Sequence, residues 1–241
     1  MDIKIILFSY VLVLIPLFIS YKLSLKIEKE LFFNSLRALI QLTLLGFVLG
    51  FLFKITNPLM YIPVVFFMLI YSSYIAKKRT SFSYRAAFFS IFSATAIILG
   101  VLLSLNIISF KPNEFIPIAG MIIGNSLNTY TLTIERLKRE INLQKELIEA
   151  FVAIGAKYED ALKIMQRQAV KAALIPVNNM LQTIGIVAIP GITTGMLLAG
   201  ASPFKAVSYQ IVIIYMLVSI NLFSALFGSM LYIKEYTPAK K

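Results

Sequence analysis

Residues 135–161 read ERLKREINLQKELIEAFVAIGAKYEDA. This charged, proline-free stretch sits in a chain that is 59% hydrophobic and only 14% charged, against about 25% charged in an average soluble domain. On both sides of it, apolar runs of about 20 residues recur, each long enough at 1.5 Å per residue to cross a hydrocarbon core of about 30 Å. The stretch therefore marks where the chain leaves the membrane for longest, and the rest of the fold is counted outward from it.

The apolar runs are 3–21, 32–53, 58–76, 84–105, 115–134, 174–199 and 206–233. The expected fold is an all-α polytopic membrane protein of about seven transmembrane helices. It forms a single transmembrane domain over 1–241, with a polar segment of about 135–173. The first run resembles a signal peptide, but it lacks a small-residue cleavage site and carries Pro16, so it is taken as a span. Seven spans put alternate connections on opposite sides. One set of connections, together with the C-terminus, holds eighteen Lys and Arg and the other holds four, with Arg37 inside the second run. The positive-inside rule puts the basic set in the cytosol, with the N-terminus outside and the C-terminus inside. The net charge of +12 is accordingly a topology and lipid-headgroup signal, and nucleic acid is not an expected partner.

The chain has no Cys and no His. That removes thiolate chemistry, the usual neutral-pH base and the commonest metal ligand, and with them most enzyme classes. No run interior contains Asp or Glu, which weighs against carriers that couple to protons through a buried carboxylate. Amide and hydroxyl groups do occur there. Asn34, Arg37 and Gln41 share a face of the second run, Asn125 and Asn128 follow Gly124 in the fifth, and Asn178 and Gln182 are one turn apart in the sixth. They form either interhelical hydrogen bonds or a transport path, and these seven residues are the candidate path; metal ligands are not identifiable. Gly46/Gly50, Gly120/Gly124 and Gly191/Gly195 are spaced for close helix packing, and Pro190-Gly191 interrupts the sixth run as a kink or hinge.

Within 135–173, Leu137, Ile141, Ile148 and Phe151 fall near one helical stripe. Gly155-Ala156 then breaks the helix, and Glu159-Asp160 starts another with acids in its first turn. The expected shape is a helix–bend–helix elbow, long for a mere connection and suited to docking a cytosolic partner. A self-contained channel or secondary transporter, with a regulator bound at the elbow, is the alternative.

Glu149-Ala150, Gly155-Ala156 and Ala161 resemble the coupling loop of ABC transporter permeases. IPIAGMIIGNSLN (116–128), KAALIPVNNM (171–180) and IPGITTGMLLAGASPFKAVSYQI (189–211) extend the likeness over nearly the whole chain, to the FetB/YbbM-like ABC permease family. Plant aluminium-sensitivity subunits belong to the same family. The resemblance implies a permease of the cell inner (plasma) membrane, multi-pass and homodimeric, that exports metal ions of the iron kind or a metal-linked solute. It implies a separate ATPase subunit that carries the ATP and Mg, since this chain has no phosphate-binding loop and binds no cofactor itself. Glu149, Ala150, Gly155, Ala156, Glu159 and Ala161 are the implied ATPase-coupling residues. Met196 follows Gly195 where the family's motif commonly has Gln.

Overall fold

The computed structural model describes residues 8–53 and 58–236, which are helical almost throughout. They fall into two compact units that divide after Thr56. In the first, α1 (Val11–Lys22) packs on α2 (Glu28–Leu52). The reversal between them uses two left-handed residues, Ser24 (φ 51°) and Lys26 (φ 60°). It is tied by Ser20 Oγ donating to Glu28 Oε1 at 2.8 Å. Residues 3–7 of the expected first span lie outside the described residues. The second span is present as the 25-residue α2, about 37 Å long.

In the second unit, α3 (Tyr61–Thr80), α4 (Tyr84–Ser104), α5 (Pro112–Leu143) and α10 (Pro203–Tyr236) pack around α5. Between α5 and α10 come four shorter helices: α6 (Lys145–Ala153), α7 (Tyr158–Ala173), α8 (Ile175–Thr183) and α9 (Gly191–Leu198). Among the described residues three helices, α2, α4 and α10, are long and apolar enough to cross a membrane. Helix α5 starts with Pro112 in its first turn, where no amide bond is lost. Glu114 faces the same helix end and accepts from both Ser109 N (2.9 Å) and Ser109 Oγ (2.6 Å), which holds its carboxyl below the usual range. Ile116, Ile122, Tyr130, Ile134 and Leu137 on α5 are completely enclosed.

With 32 residues, α5 is about 48 Å long and overshoots a 30 Å apolar core, so the charged residues from Glu135 onward continue the same helix. Helix α7 packs back on this extension through Ala161, Leu162, Met165 and Ala169, all buried on one stripe. Beside it, α3 ends in a left-handed Ser81 (φ 48°), and Lys138 of α5 donates its Nζ to the Thr80 carbonyl. A cation at a helix C-terminus is favourable to the dipole, and it locks the α3–α4 turn to α5.

The expected sixth span needs correcting. Residues 174–199 do not form one kinked helix; they form α8 and α9, of nine and eight residues, separated by an unwound stretch at 184–190. The break opens at Gly185 (φ 80°), six residues before Gly191, and closes at Pro190. Thr183 O accepts three amides, from Ile186, Val187 and Ala188, so the chain curls on itself instead of advancing. Proline at its far side then supplies no amide to resume the ladder until Pro190 O accepts from Thr194 N.

Among the described residues of each unit, the paired glycines do not mediate close contacts. A Cβ on Gly46, Gly50, Gly124, Gly191 or Gly195 would meet nothing within 4 Å, and one on Gly120 would reach only the Met68 side chain at 3.8 Å. The close approach is at Gly228 of α10, where a Cβ would lie 2.7 Å from the Tyr130 ring.

Candidate functional site

Polar side chains gather where α5 and α10 cross. Ser126 and Ser224 share a hydrogen bond of 2.5 Å, and Ser90 of α4 donates to the Ser224 carbonyl at 3.2 Å. One turn along, Thr129 Oγ1 donates to Asn221 Oδ1 at 2.7 Å. All five side chains are buried. Each is costly in hydrocarbon unless paired, so the pairing fixes the register of α5 against α10.

The seam opens into a cleft of about 220 Å³ that Asn125, Asn128, Thr129 and Asn221 line on one side. Pro176, Val177 and Met180, at the start of α8, line the other. Asn125 donates Nδ2 to the Met121 carbonyl at 2.8 Å, and Asn128 is exposed. Of the candidate path residues, therefore, Asn125 and Asn128 come together with Thr129 and Asn221. Asn178 and Gln182 do not line this cleft: both are exposed, because Val177 and Met180 occupy the inward side of the short α8. Asn34, Arg37 and Gln41 are exposed on α2, in the other unit. Among the described residues no group of three or more acidic side chains could hold a metal ion. What the cleft offers is amide and hydroxyl oxygen and N–H.

A second cavity, of about 390 Å³, lies between the 184–190 break, α9 and α10, lined by Ile189, Leu197, Val207 and Ile214 with Thr193 and Gln210 as its polar members. Thr193 Oγ1 donates to Gln210 Oε1 at 3.2 Å, and both side chains are buried. Gln210 and Asn221 stand far apart in the last apolar run and are not among the candidate path residues. The missed signal is that Asn221, Ser224 and Gly228 recur at three and four residues on one face of α10.

At the charged end, α6 and α7 meet through residues 154–157, with Gly155 at φ 95°. Ile154 is 82% exposed and Val152 40%, while Ile148 behind them is enclosed. Glu149 is exposed and paired loosely with Lys145 (3.7 Å). Ala150 and Glu159 are exposed, Ala156 is half-buried and Ala161 is buried in the packing of α7. Gln144, the residue between α5 and α6, donates Nε2 to Glu140 Oε2 and to Gln168 Oε1, both at 3.1 Å, and so ties α7 to α5 across the junction. Arg136 Nε lies 3.0 Å from Glu140 Oε1, an ion pair by distance whose N–H is not aimed at the oxygen. Asp160 accepts from Lys163 at 2.6 Å, and that bond pulls its carboxyl below the ordinary range.

The sequence model of a family described as "Uncharacterised protein family (UPF0014)" matches residues 3–237. The chain is 34% identical to Protein ALUMINUM SENSITIVE 3 of Arabidopsis thaliana, over 87% of this chain and 78% of that one. It is 32% identical to the "Probable iron export permease protein FetB" of Escherichia coli, over 95% of this chain and 89% of that one. It is 34% identical to the UPF0014 membrane protein YjkA of Bacillus subtilis, over 86% and 84%. No solved structure matches the chain.

Proposed function

The chain belongs to the UPF0014 family of membrane proteins, and from that premise we propose that it is the permease subunit of an ABC transporter. In this reading it crosses the inner membrane seven times, with its N-terminus outside and the α6–α7 turn in the cytosol. It works as a homodimer with a separate ATPase subunit and exports a metal ion of the iron kind or a metal-linked solute. The direction and cargo follow the relative whose name includes iron export.

The observation that carries the reading is the α6–α7 turn. It presents Ile154 and Val152 outward, while α7 behind it is buried against α5 and α10. An exposed apolar tip on a rigidly backed support is what a partner needs in order to push on a bundle, because a force is transmitted only through packed elements. Gln144 and Lys138 join that support to α7 and α3. The exposed Glu149 adds a charge beside the tip.

The test is copurification with the ATPase subunit, and ATP hydrolysis by the reconstituted pair. Ile154→Asp and Glu149→Arg each place a charge where the partner is expected and touch nothing buried. Loss of association in both, with unchanged membrane expression, supports docking at this turn. Full association and full stimulation in both would overturn it.

A further inference from the structure

The unwound stretch at 184–190 leaves an unusual set of backbone groups without partners. In α8, the amides of Gly185 and Ile186 would normally bond to the carbonyls of Leu181 and Gln182. They turn instead to Ala188 O and Thr183 O. Beyond them, the carbonyls of Ile184, Gly185, Ile186, Val187 and Ile189 accept no hydrogen bond among the described residues. Seven acceptors in nine residues are thus open. The opposing donors, the amides of Ile189, Gly191, Ile192 and Thr193 at the start of α9, number four.

With α10 crossing the membrane, as the permease reading has it, these groups lie at membrane depth. The start of α8 flanks Asn221, while Ile184, Gly185 and Ile189 share a cavity with Gln210, Ile211 and Ile214. Both levels fall within the apolar stretch of α10, a helix long and apolar enough to cross a membrane. Irregular backbone is tolerated there only where protein covers it or water reaches it, and lipid does neither. Among the described residues of the second unit, one side of the break faces the α10 cavity and its apex is bare: Ile186 is 90% exposed and Val187 79%. Carbonyl dipoles that face water at membrane depth form a cation site of the kind built by unwound helices and selectivity filters. The C-terminal end of α8 adds its negative pole on the same side.

We infer that the 184–190 break lines the water-filled path and that its backbone carbonyls solvate a cation. This supplies the oxygen ligands that the span interiors, free of Asp and Glu, do not supply through side chains. The inference rests on the reading of the chain as a permease, and it places the cargo contact on the backbone of a segment that sequence alone takes for a helix.

The chain has no cysteine, so Ile186→Cys and Val187→Cys can be probed in the otherwise native full-length protein in membranes. The reagents are two membrane-impermeant methanethiosulfonates, one cationic and one anionic. Their rates are each divided by the rate with a small thiol in solution. A site that concentrates cations gives a normalised cationic-to-anionic ratio of about tenfold or more, the lower end of electrostatic focusing. Absence of reaction with both reagents at both positions would mean that lipid or a second copy covers the loop, and would overturn the inference. So would a normalised ratio near one, which fits a path for neutral solutes, or a ratio below one. The measurement needs neither ATP nor the ATPase. Failure to copurify with an ATPase would therefore remove the ABC reading while leaving this result standing, and the reverse holds as well.

Discussion

Replacing Gly228 by Ala tests the α5–α10 crossing on which the bundle rests. A Cβ there would sit 2.7 Å from Tyr130 Cδ2, 3.1 Å from Cε2 and 3.5 Å from Ser90 Oγ. Ordinary carbon contacts lie at about 3.5–4.0 Å, so the ring must retreat by close to an ångström. Tyr130 is fully enclosed, so its ring can move only by displacing its neighbours. The steric cost should then fall in the upper part of the overpacking range, about 2–3 kcal/mol. Alanine also favours the helix over glycine by about 1 kcal/mol, which offsets part of it. The net expectation is a loss of about 1–2 kcal/mol. The assay is reversible unfolding of the purified protein in mixed micelles, followed by helix signal, for the four members of a cycle with Tyr130→Leu. Once the ring is gone, the added methyl has room, so Gly228→Ala should become neutral or stabilising in that background. The coupling should be about 1–3 kcal/mol, beyond the roughly 0.5 kcal/mol scatter of independent sites. If Gly228→Ala matches the parent in stability and the cycle shows no coupling, the crossing is not where the structure puts it.

Thr129→Val removes the donor to Asn221 and should cost about 0.6 kcal/mol, the average for hydrogen bonds between membrane helices, and at most about 1.7; the same unfolding assay in a cycle with Asn221→Leu checks it. Gly155→Val must hold a β-branched residue at φ 95°, a strain of about 1–2 kcal/mol, although the space around it is open. Its expected signature is faster proteolysis at the α6–α7 turn with little change in global unfolding. Lys138→Met drops both the cap on α3 and the ammonium above the Phe82 ring, for a loss of about 0.3–1 kcal/mol that should be smaller when measured at high salt.

Much of this architecture was legible because burial in a membrane is a nearly binary composition signal. The runs that became α2, α4 and α10 stand out by length and lack of charge alone. The stripe of Leu137, Ile141 and Ile148 likewise turned inward, as its spacing requires. The division at 184–190 was hidden by the same signal. Ile184, Ile186, Val187 and Ile189 are as apolar as any span, and hydropathy does not register that Gly185 has gone left-handed. Only Pro190-Gly191 marked the spot, and it marks the end of the break, not its start. Glycine spacing misled for a related reason. It reports where a helix permits close approach, whereas the observed approach at Gly228 depended on where α5 presents Tyr130.

The site was legible in its residue types but not in its division of labour, and hydrogen-bond partners supply that division. Ser126, Thr129, Ser224 and the Asn221 carbonyl spend their bonds on one another, which makes them the structural part of the seam. Asn128 on the same helix is exposed at the cleft and has no such partner among the described residues. Ser126→Ala and Asn128→Ala should therefore separate cleanly. The first should lower unfolding stability by about 1 kcal/mol and leave transport by the folded fraction unchanged. The second should stay within about 0.5 kcal/mol of the parent, as surface substitutions do, while altering cargo-stimulated ATP hydrolysis in the reconstituted complex. If Asn128→Ala is instead the destabilising variant and stimulation is untouched, its amide serves helix packing against a second copy, and the cleft is not part of the path.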